Sequence, residues 1–158
     1  MRIGLADGAA MLALQLGKSG FEDAQGAATS ALWLQACDYP GLALLKESLS
    51  DQSPPFQLLR DTLGLDLHSI SCARIGHLVV ADVLANGRVF LRNVRHGLFL
   101  VRPSVDHNFG IGCPVDPGFA LGGERSKNPY VEKLDAAKRD GLEVDDDLWQ
   151  SLMQGNIH

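Results

Sequence analysis

Residues 69–103 read SISCARIGHLVVADVLANGRVFLRNVRHGLFLVRP; they form the most apolar stretch of the chain and decide its fold. Two structures fit the first half of this stretch. Asn86-Gly87 between apolar runs is typical of a β-hairpin, which would make residues 77–84 a strand, but the same pair also ends helices. The apolar positions share one helical face, and a nearby serine could cap the first turn. We therefore favour a buried helix over residues 72–85 and keep the strand as the alternative.

The second half of the stretch favours a β-hairpin. Residues 89–91 and 98–101 are apolar runs rich in β-branched and aromatic side chains, and residues 93–97 between them supply a turn. Pro103 then ends the second strand, because proline cannot donate a hydrogen bond to a sheet. We expect the buried helix and this hairpin to form the core of the protein.

Amphipathic helices are predicted on both sides of this core. Four precede it, with apolar spacing that begins near Leu5, Glu22, Pro40 and Phe56. Two follow it, the first between Asn128-Pro129 and Gly141 and the second after Asp145. The predicted fold class is α+β, with an N-terminal helical segment, a central buried helix and β-hairpin, and two C-terminal helices in a single domain over residues 1–158.

Composition excludes several classes of function. The chain has 14 Lys and Arg against 19 Asp and Glu, a formal net charge of −5 and no basic cluster, so we expect neither nucleic acid nor a membrane as a partner. No apolar run approaches the roughly 20 residues that span a bilayer. Asp7 interrupts the N-terminal apolar stretch, which favours a retained helix over a signal peptide. Three cysteines without disulfide spacing predict reduced thiols and a cytoplasmic protein.

Short motifs spread over most of the chain carry a family resemblance. They are Trp33-Leu34, Gly41 with Leu44-Leu45, Cys72 with Gly76 and Asp82, and the tail GLEVDDDLWQSL at residues 141–152. With these motifs the chain resembles an uncharacterised bacterial domain family of about this size. The resemblance implies a bacterial protein but no particular activity.

A second similarity is to the malate/L-lactate dehydrogenases of the non-Rossmann type. Residues 123–125, which read Gly-Glu-Arg, and residues 144–149 resemble the end of those enzymes, which also open with helices. The Ser-His-Gly motif of that family would fall at residues 37–41, where this chain reads CDYPG. The nicotinamide-binding middle has no counterpart, so neither a catalytic residue nor a cofactor is carried over.

Asp106, His107 and Cys113 are reactive side chains that cluster in a predicted loop. An aspartate can orient an imidazole, and the imidazole can activate a nearby thiol. Alternatively, Asp106 and His107 cap a turn and Cys113 is a small buried hydrophobe. The spacing of His107 and Cys113 matches no zinc signature, and we predict neither a metal nor a cofactor.

Four arginines flank the predicted hairpin, at positions 88, 92, 95 and 102. Arginine suits bidentate recognition of carboxylate or phosphate, although the alternative is a solvated face on which each arginine pairs with a nearby acid. We predict a shallow cleft between the hairpin and residues 106–123. Its candidate binding residues for an acidic small molecule are Arg92, Arg95, Arg102, Asp106, His107 and Cys113. His96, beside Arg95 in the turn, is expected to lie in solvent.

Two classes of function fit these observations. A non-catalytic binding or accessory module of small-molecule metabolism is favoured, because the chain has no dense catalytic motif. The alternative is a small enzyme that acts on an acidic metabolite through Asp106, His107 and Cys113.

The second helix also predicts a homodimer. It has a face of alanines, and Leu32 and Trp33 place further apolar surface on its other side. Two-fold association would bury that side, unless the third and fourth helices cover it within one chain.

Overall fold

Seven α-helices, one 3₁₀ turn and four two-residue strands make up the computed structural model, which describes residues 1–51, 58–111 and 130–154. The helices are α1 (Leu5–Lys18), α2 (Ala24–Ala36), α3 (Gly41–Ser48), α4 (Cys72–Asn86), α5 (Val101–His107), α6 (Val131–Asp140) and α7 (Asp146–Met153). The 3₁₀ turn is Gly97–Leu100, and the strands are β1 (Arg2–Ile3), β2 (Leu65–Asp66), β3 (Leu91–Arg92) and β4 (Leu142–Glu143). The described residues therefore have an α+β fold in which helix predominates. None of these helices is long and apolar enough to cross a membrane.

The predicted buried helix of the central stretch is confirmed as α4. Ser71 is its N-cap, and Ser71 Oγ accepts a hydrogen bond from the Ala73 amide at 3.1 Å. Ile75 and the other inward residues of the first two turns are buried. The helix ends at Gly87, whose φ of +82° favours glycine. Asn86-Gly87 therefore ends a helix, and the alternative of a strand is wrong.

The predicted β-hairpin after α4 is wrong. β3 pairs in parallel with β2, with Leu65 opposite Leu91 and Asp66 opposite Arg92. Parallel neighbours need a crossover between them, and α4 provides it. No local pattern identifies β2 as the partner, since β2 has only two residues and lies on the far side of the helix.

Residues 98–101, expected as the second hairpin strand, belong instead to the 3₁₀ turn and the start of α5. Phe99, Leu100 and Val101 are buried there, so the apolar run packs into the core as a helix would. Pro103 lies in the first turn of α5, where its missing amide removes no helical hydrogen bond. This proline is therefore compatible with a helix start as well as with a strand end.

Three of the four predicted N-terminal helices are confirmed as α1, α2 and α3. The fourth, expected from Phe56, is wrong over residues 58–63, where no helix forms; Phe56 itself lies outside the described residues. Asp61 Oδ1 accepts the Leu63 amide at 2.7 Å. This local bond holds a turn that competes with helix.

Both predicted C-terminal helices are confirmed. Gly141 ends α6 with a φ of +79°, and Asp145 caps α7 by accepting the Leu148 amide at 2.8 Å. Asn128-Pro129, expected at the start of α6, lies outside the described residues. Between the two helices, β4 pairs antiparallel with β1, which ties the end of the described chain to its beginning.

The core is built around α2, which packs against α1, α3, α4 and α6. Leu32 and Trp33 are both buried, and the Trp33 ring lies 4.8 Å from the Tyr130 ring. The expectation that they leave one side of α2 uncovered is therefore wrong. Neighbouring helices of the same chain cover that side, so these two residues are not available as the interface of a homodimer.

Candidate functional site

A cleft of about 210 Å³ lies between α2, α4 and α5. Asp23, the N-cap of α2, and Ser30 of the same helix line the cleft from one side. Arg102 and His107 of α5 line it from another. His77 of α4 lines it from the third side. Within α2, and likewise within α4, the lining residues are spaced three, four or seven residues apart. Residues with this spacing lie on one face of a helix. The cleft is thus formed where three helices meet, and two of the predicted site residues, Arg102 and His107, line it.

Arg102 makes one end of the cleft basic. Its Nε donates to Ser30 Oγ at 2.8 Å, and its Nη1 donates to Asp106 Oδ2 at 2.7 Å. The two bonds hold the guanidinium in one orientation, and the side chain remains 22% exposed. His107, at the end of α5, is exposed and also lines the cleft. A ligand in the cleft would therefore meet a preoriented guanidinium, paired with Asp106, whose Nη2 has no hydrogen bond among the described residues.

The N-terminal end of α2 makes the opposite end acidic. Asp23 caps the helix, and its Oδ1 accepts the Gly26 amide at 3.2 Å. Glu22 lies next to it in sequence, with Oε2 3.7 Å from His77 Nε2. The Glu22 carboxylate therefore lies close to His77, and Asp23, which lines the cleft together with His77, lies at the end of α2 away from Ser30.

His77 has an unsatisfied polar atom. Its Nε2 is buried and forms no hydrogen bond among the described residues, since the 3.7 Å separation from Glu22 is too long for one. A buried polar atom without a partner costs roughly 1–3 kcal/mol, and such atoms in native proteins call for an explanation. A ligand or an ordered water in the cleft would supply the missing partner.

The thiol that lines the cleft is not a nucleophile at neutral pH. Cys72 is buried at the start of α4, and burial raises the pKa of its thiol to about 12. The helix dipole would lower this pKa, but desolvation of the thiolate dominates. Cys72 is therefore a structural residue at the start of α4. Within the described part of the cleft, the arrangement favours binding over covalent chemistry.

The other predicted site residues are not brought to this cleft. Arg92 pairs with Asp61 at 3.1 Å and Arg95 pairs with Asp51. Each of these arginines has its own acid, as Arg102 has in Asp106, but neither of them lines the cleft. The expected cleft beside a hairpin is absent from the described residues, because the hairpin itself does not form.

The proposed Asp106, His107 and Cys113 loop is only partly described. Asp106 and His107 lie at the end of α5, and Cys113 lies outside the described residues. Asp106 Oδ2 bonds to Arg102, four residues earlier, at 2.7 Å. In the part of the chain that the structure describes, this carboxylate thus orients the arginine and not the imidazole of His107.

A second polar cluster was missed from the sequence. His96 Nδ1 lies 2.6 Å from Ser71 Oγ, and His96 Nε2 lies 2.9 Å from Glu47 Oε2. Asp51 Oδ2 also accepts the Ser71 amide at 2.7 Å. The expectation that His96 lies in solvent is wrong, because its side chain is only 7% exposed.

A serine, a histidine and a carboxylate in series can perform nucleophilic catalysis. Here Ser71 is 0% exposed, and its hydroxyl caps α4. A substrate carbonyl cannot reach it, so the cluster is structural: it joins α3, α4 and the segment before the 3₁₀ turn. The sequence indicated Ser71 as an N-cap candidate, because it lies directly before the apolar helical pattern. It did not indicate the left-handed backbone of His96, whose φ is 55°.

Comparison with known proteins finds no matching family model, no similar curated protein and no similar solved structure. The family resemblances suggested by short motifs therefore stay predictions. Any function must be inferred from the geometry of the cleft itself.

Proposed function

We propose that this protein is a non-catalytic binding module that holds a small acidic molecule in the cleft between α2, α4 and α5. The observation that carries the proposal is the position of Arg102, whose guanidinium is held by Ser30 and Asp106 at the cleft wall. Charged hydrogen bonds from a preoriented arginine are the usual way to recognise a carboxylate or phosphate. A volume of about 210 Å³ suits a metabolite rather than a polymer.

The catalytic alternative has less support. Asp106 bonds to Arg102 instead of His107, and the pKa of Cys72 is raised by burial. An accessory role in small-molecule metabolism, without a cofactor, is consistent with such a cleft. Cys37 and Cys72 are both free thiols, which supports a reducing, cytoplasmic location.

Calorimetric titration with acetate, succinate and inorganic phosphate tests the proposal. We expect at least one of these anions to bind, and Arg102→Gln to weaken that binding at least tenfold, about the loss of one charged hydrogen bond. Arg139→Gln is the matched control, because Arg139 is exposed on α6 and pairs with Asp140. Equal affinities in the Arg102 and Arg139 variants would contradict the proposal.

Rapid labelling of Cys113 distinguishes the catalytic alternative. If this thiol reacts at neutral pH much faster than a model thiol, and if the bound anion protects it, the enzyme hypothesis gains over the binding module.

Self-association remains part of the proposal, with its interface unassigned. Exposed apolar side chains elsewhere, such as Leu14 and Phe90, could contribute to one. Light scattering would decide the question, since a mass that stays at 17.0 kDa on concentration would contradict a dimer.

A further inference from the structure

The two ends of the cleft carry different charged groups: Arg102, in an ion pair with Asp106, at one end and the Asp23 carboxylate at the other. Asp23 starts α2, and Ser30, which accepts a hydrogen bond from Arg102 Nε at 2.8 Å, lies two turns further along the helix. At 1.5 Å per residue, these positions are about 10 Å apart along the helix axis. The acidic and basic ends therefore lie at a separation that one small molecule can span.

The carboxylates at the acidic end of the cleft can accept further hydrogen bonds. Asp23 Oδ1 accepts the Gly26 amide, and no ion pair of the Asp23 carboxylate is present among the described residues. Glu22 is 69% exposed and lies 3.7 Å from His77 Nε2. A ligand whose far end is also an anion would meet like charge there, whereas a cationic group would find acceptors.

The wall between the two ends is apolar. Ala27 lies between Asp23 and Ser30 on α2, and Val80 of α4 and Phe99 of the 3₁₀ turn also line the cleft. Such a wall suits methylene groups and disfavours a ligand that is polar along its whole length.

We infer that the ligand of this cleft is amphoteric: a short molecule with a carboxylate or phosphate at one end, an aliphatic middle and an amine at the other end. The anion contacts Arg102, and the amine contacts Asp23. This inference rests on the proposed function, since it assigns the acidic molecule a second, cationic group. His77 Nε2, buried without a hydrogen bond among the described residues, lies beside the amine end and completes the cleft wall.

The test compares three probes of equal length on the full chain: 6-aminohexanoate, hexanoate and hexylamine, by calorimetry at fixed pH and low salt. We expect 6-aminohexanoate to bind about tenfold more tightly than hexanoate, the factor that one additional charge pair supplies. Hexylamine, which lacks the anion, should also bind more weakly than 6-aminohexanoate. Equal affinity for 6-aminohexanoate and hexanoate would overturn the inference but leave the proposed function in place, whereas no binding by either would overturn both.

Asp23→Asn isolates the charge of the acidic end. Asparagine caps a helix as well as aspartate does, so α2 should keep its first turn. The affinity for 6-aminohexanoate should fall to that for hexanoate, while the affinity for hexanoate should not fall. If both affinities fall together, Asp23 acts only by shaping the cleft and the inference is overturned. Circular dichroism establishes that the variant is folded before it is compared.

Discussion

Ser71 Oγ and His96 Nδ1 lie 2.6 Å apart in the interior, and this bond fixes the start of α4 against the segment that leads to α5. The Ser71 hydroxyl also accepts the Ala73 amide at 3.1 Å, so it serves both as helix cap and as partner of the imidazole. His96 Nε2 reaches Glu47 at 2.9 Å. In the neutral imidazole this arrangement places the proton on Nε2, which donates to the carboxylate while Nδ1 accepts from Ser71.

Ser71→Ala should destabilise the protein by about 2 kcal/mol, because it removes the cap of α4 and leaves His96 Nδ1 without its partner. Urea unfolding followed by circular dichroism measures the loss. Ser69→Ala is the matched control, because Ser69 is exposed and lies outside the helix. Its φ is +59°, but serine and alanine both have a Cβ, so the substitution does not change the backbone strain. Equal losses in the two variants would contradict the role of the Ser71 network.

Gly41 and Gly17 should respond in opposite directions to substitution by alanine. A Cβ on Gly41 would overlap the Ala31 carbonyl oxygen and lie 2.9 Å from Leu34 Cβ, because α3 begins in direct contact with α2. Gly41→Ala should cost about 1–3 kcal/mol from this overpacking. A Cβ on Gly17 meets nothing within 4 Å in α1, so Gly17→Ala should stabilise the helix by about 0.5–1 kcal/mol. Thermal unfolding of both variants checks the signs.

Arg74→Met should destabilise the protein by roughly 3 kcal/mol. Arg74 is buried, donates from Nε to the Ser48 carbonyl at 2.8 Å and from Nη2 to the Leu49 carbonyl at 3.1 Å, and lies over the Phe21 ring. Its loss would leave the carbonyls at the end of α3 unsatisfied. Arg74→Lys keeps the charge but not the planar fork, and should recover only part of the stability in denaturant unfolding.

The two described thiols should resist alkylation until the protein unfolds. Burial raises the pKa of Cys37 to about 11 and that of Cys72 to about 12, and only the thiolate reacts. In a Cys113→Ser background, mass spectrometry after iodoacetamide at pH 8 should find neither cysteine modified in the native state and both modified in urea. Fast native labelling of Cys72 would instead show that the start of α4 opens readily.

Asp66 should support stability at neutral pH and lose that contribution in acid. The side-chain amide of Asn93 donates to Asp66 at 2.8 Å and, with the His68 amide, lowers the pKa of the carboxyl below its ordinary value. Because the folded pKa lies below the unfolded one, the contribution is present above the unfolded pKa and disappears as the pH falls through the folded pKa. Asn93→Ala should raise the pKa of Asp66, as measured by NMR titration. An unchanged titration curve would rule out Asn93 as the main cause.

Most helices could be predicted because their signals are local. Asp23, Ser71 and Asp145 each accept an amide two or three residues later, and Gly87 and Gly141 adopt the positive φ that ends a helix. Such signals depend only on neighbours in sequence. This is why the starts of α2 and α7, and both ends of α4 and α6, were predicted close to their observed positions.

The errors came from contacts between distant residues. Residues 98–101 have the composition of a strand, but the partner of β3 is β2, on the far side of α4. Residue propensities could not distinguish a strand from an apolar helical turn at residues 98–101, because packing against the core decides which of the two forms. Of the residues that line the cleft, the sequence singled out Arg102 and His107 as candidates but not Asp23, Ser30 or His77. Their common cleft exists only once α2, α4 and α5 have met.

The pairing of β1 with β4 has a consequence for the order in which the chain reaches its native contacts. The Met1 amine donates to the Val144 carbonyl, 143 positions away, whereas α1 and α2 are neighbours in sequence. On the ribosome, α1 and α2 can therefore dock soon after both have emerged, while β1 must wait until β4 has been made. β1 is thus synthesised before both helices but fixed after them, and a stalled nascent chain would present docked helices beside an unpaired β1.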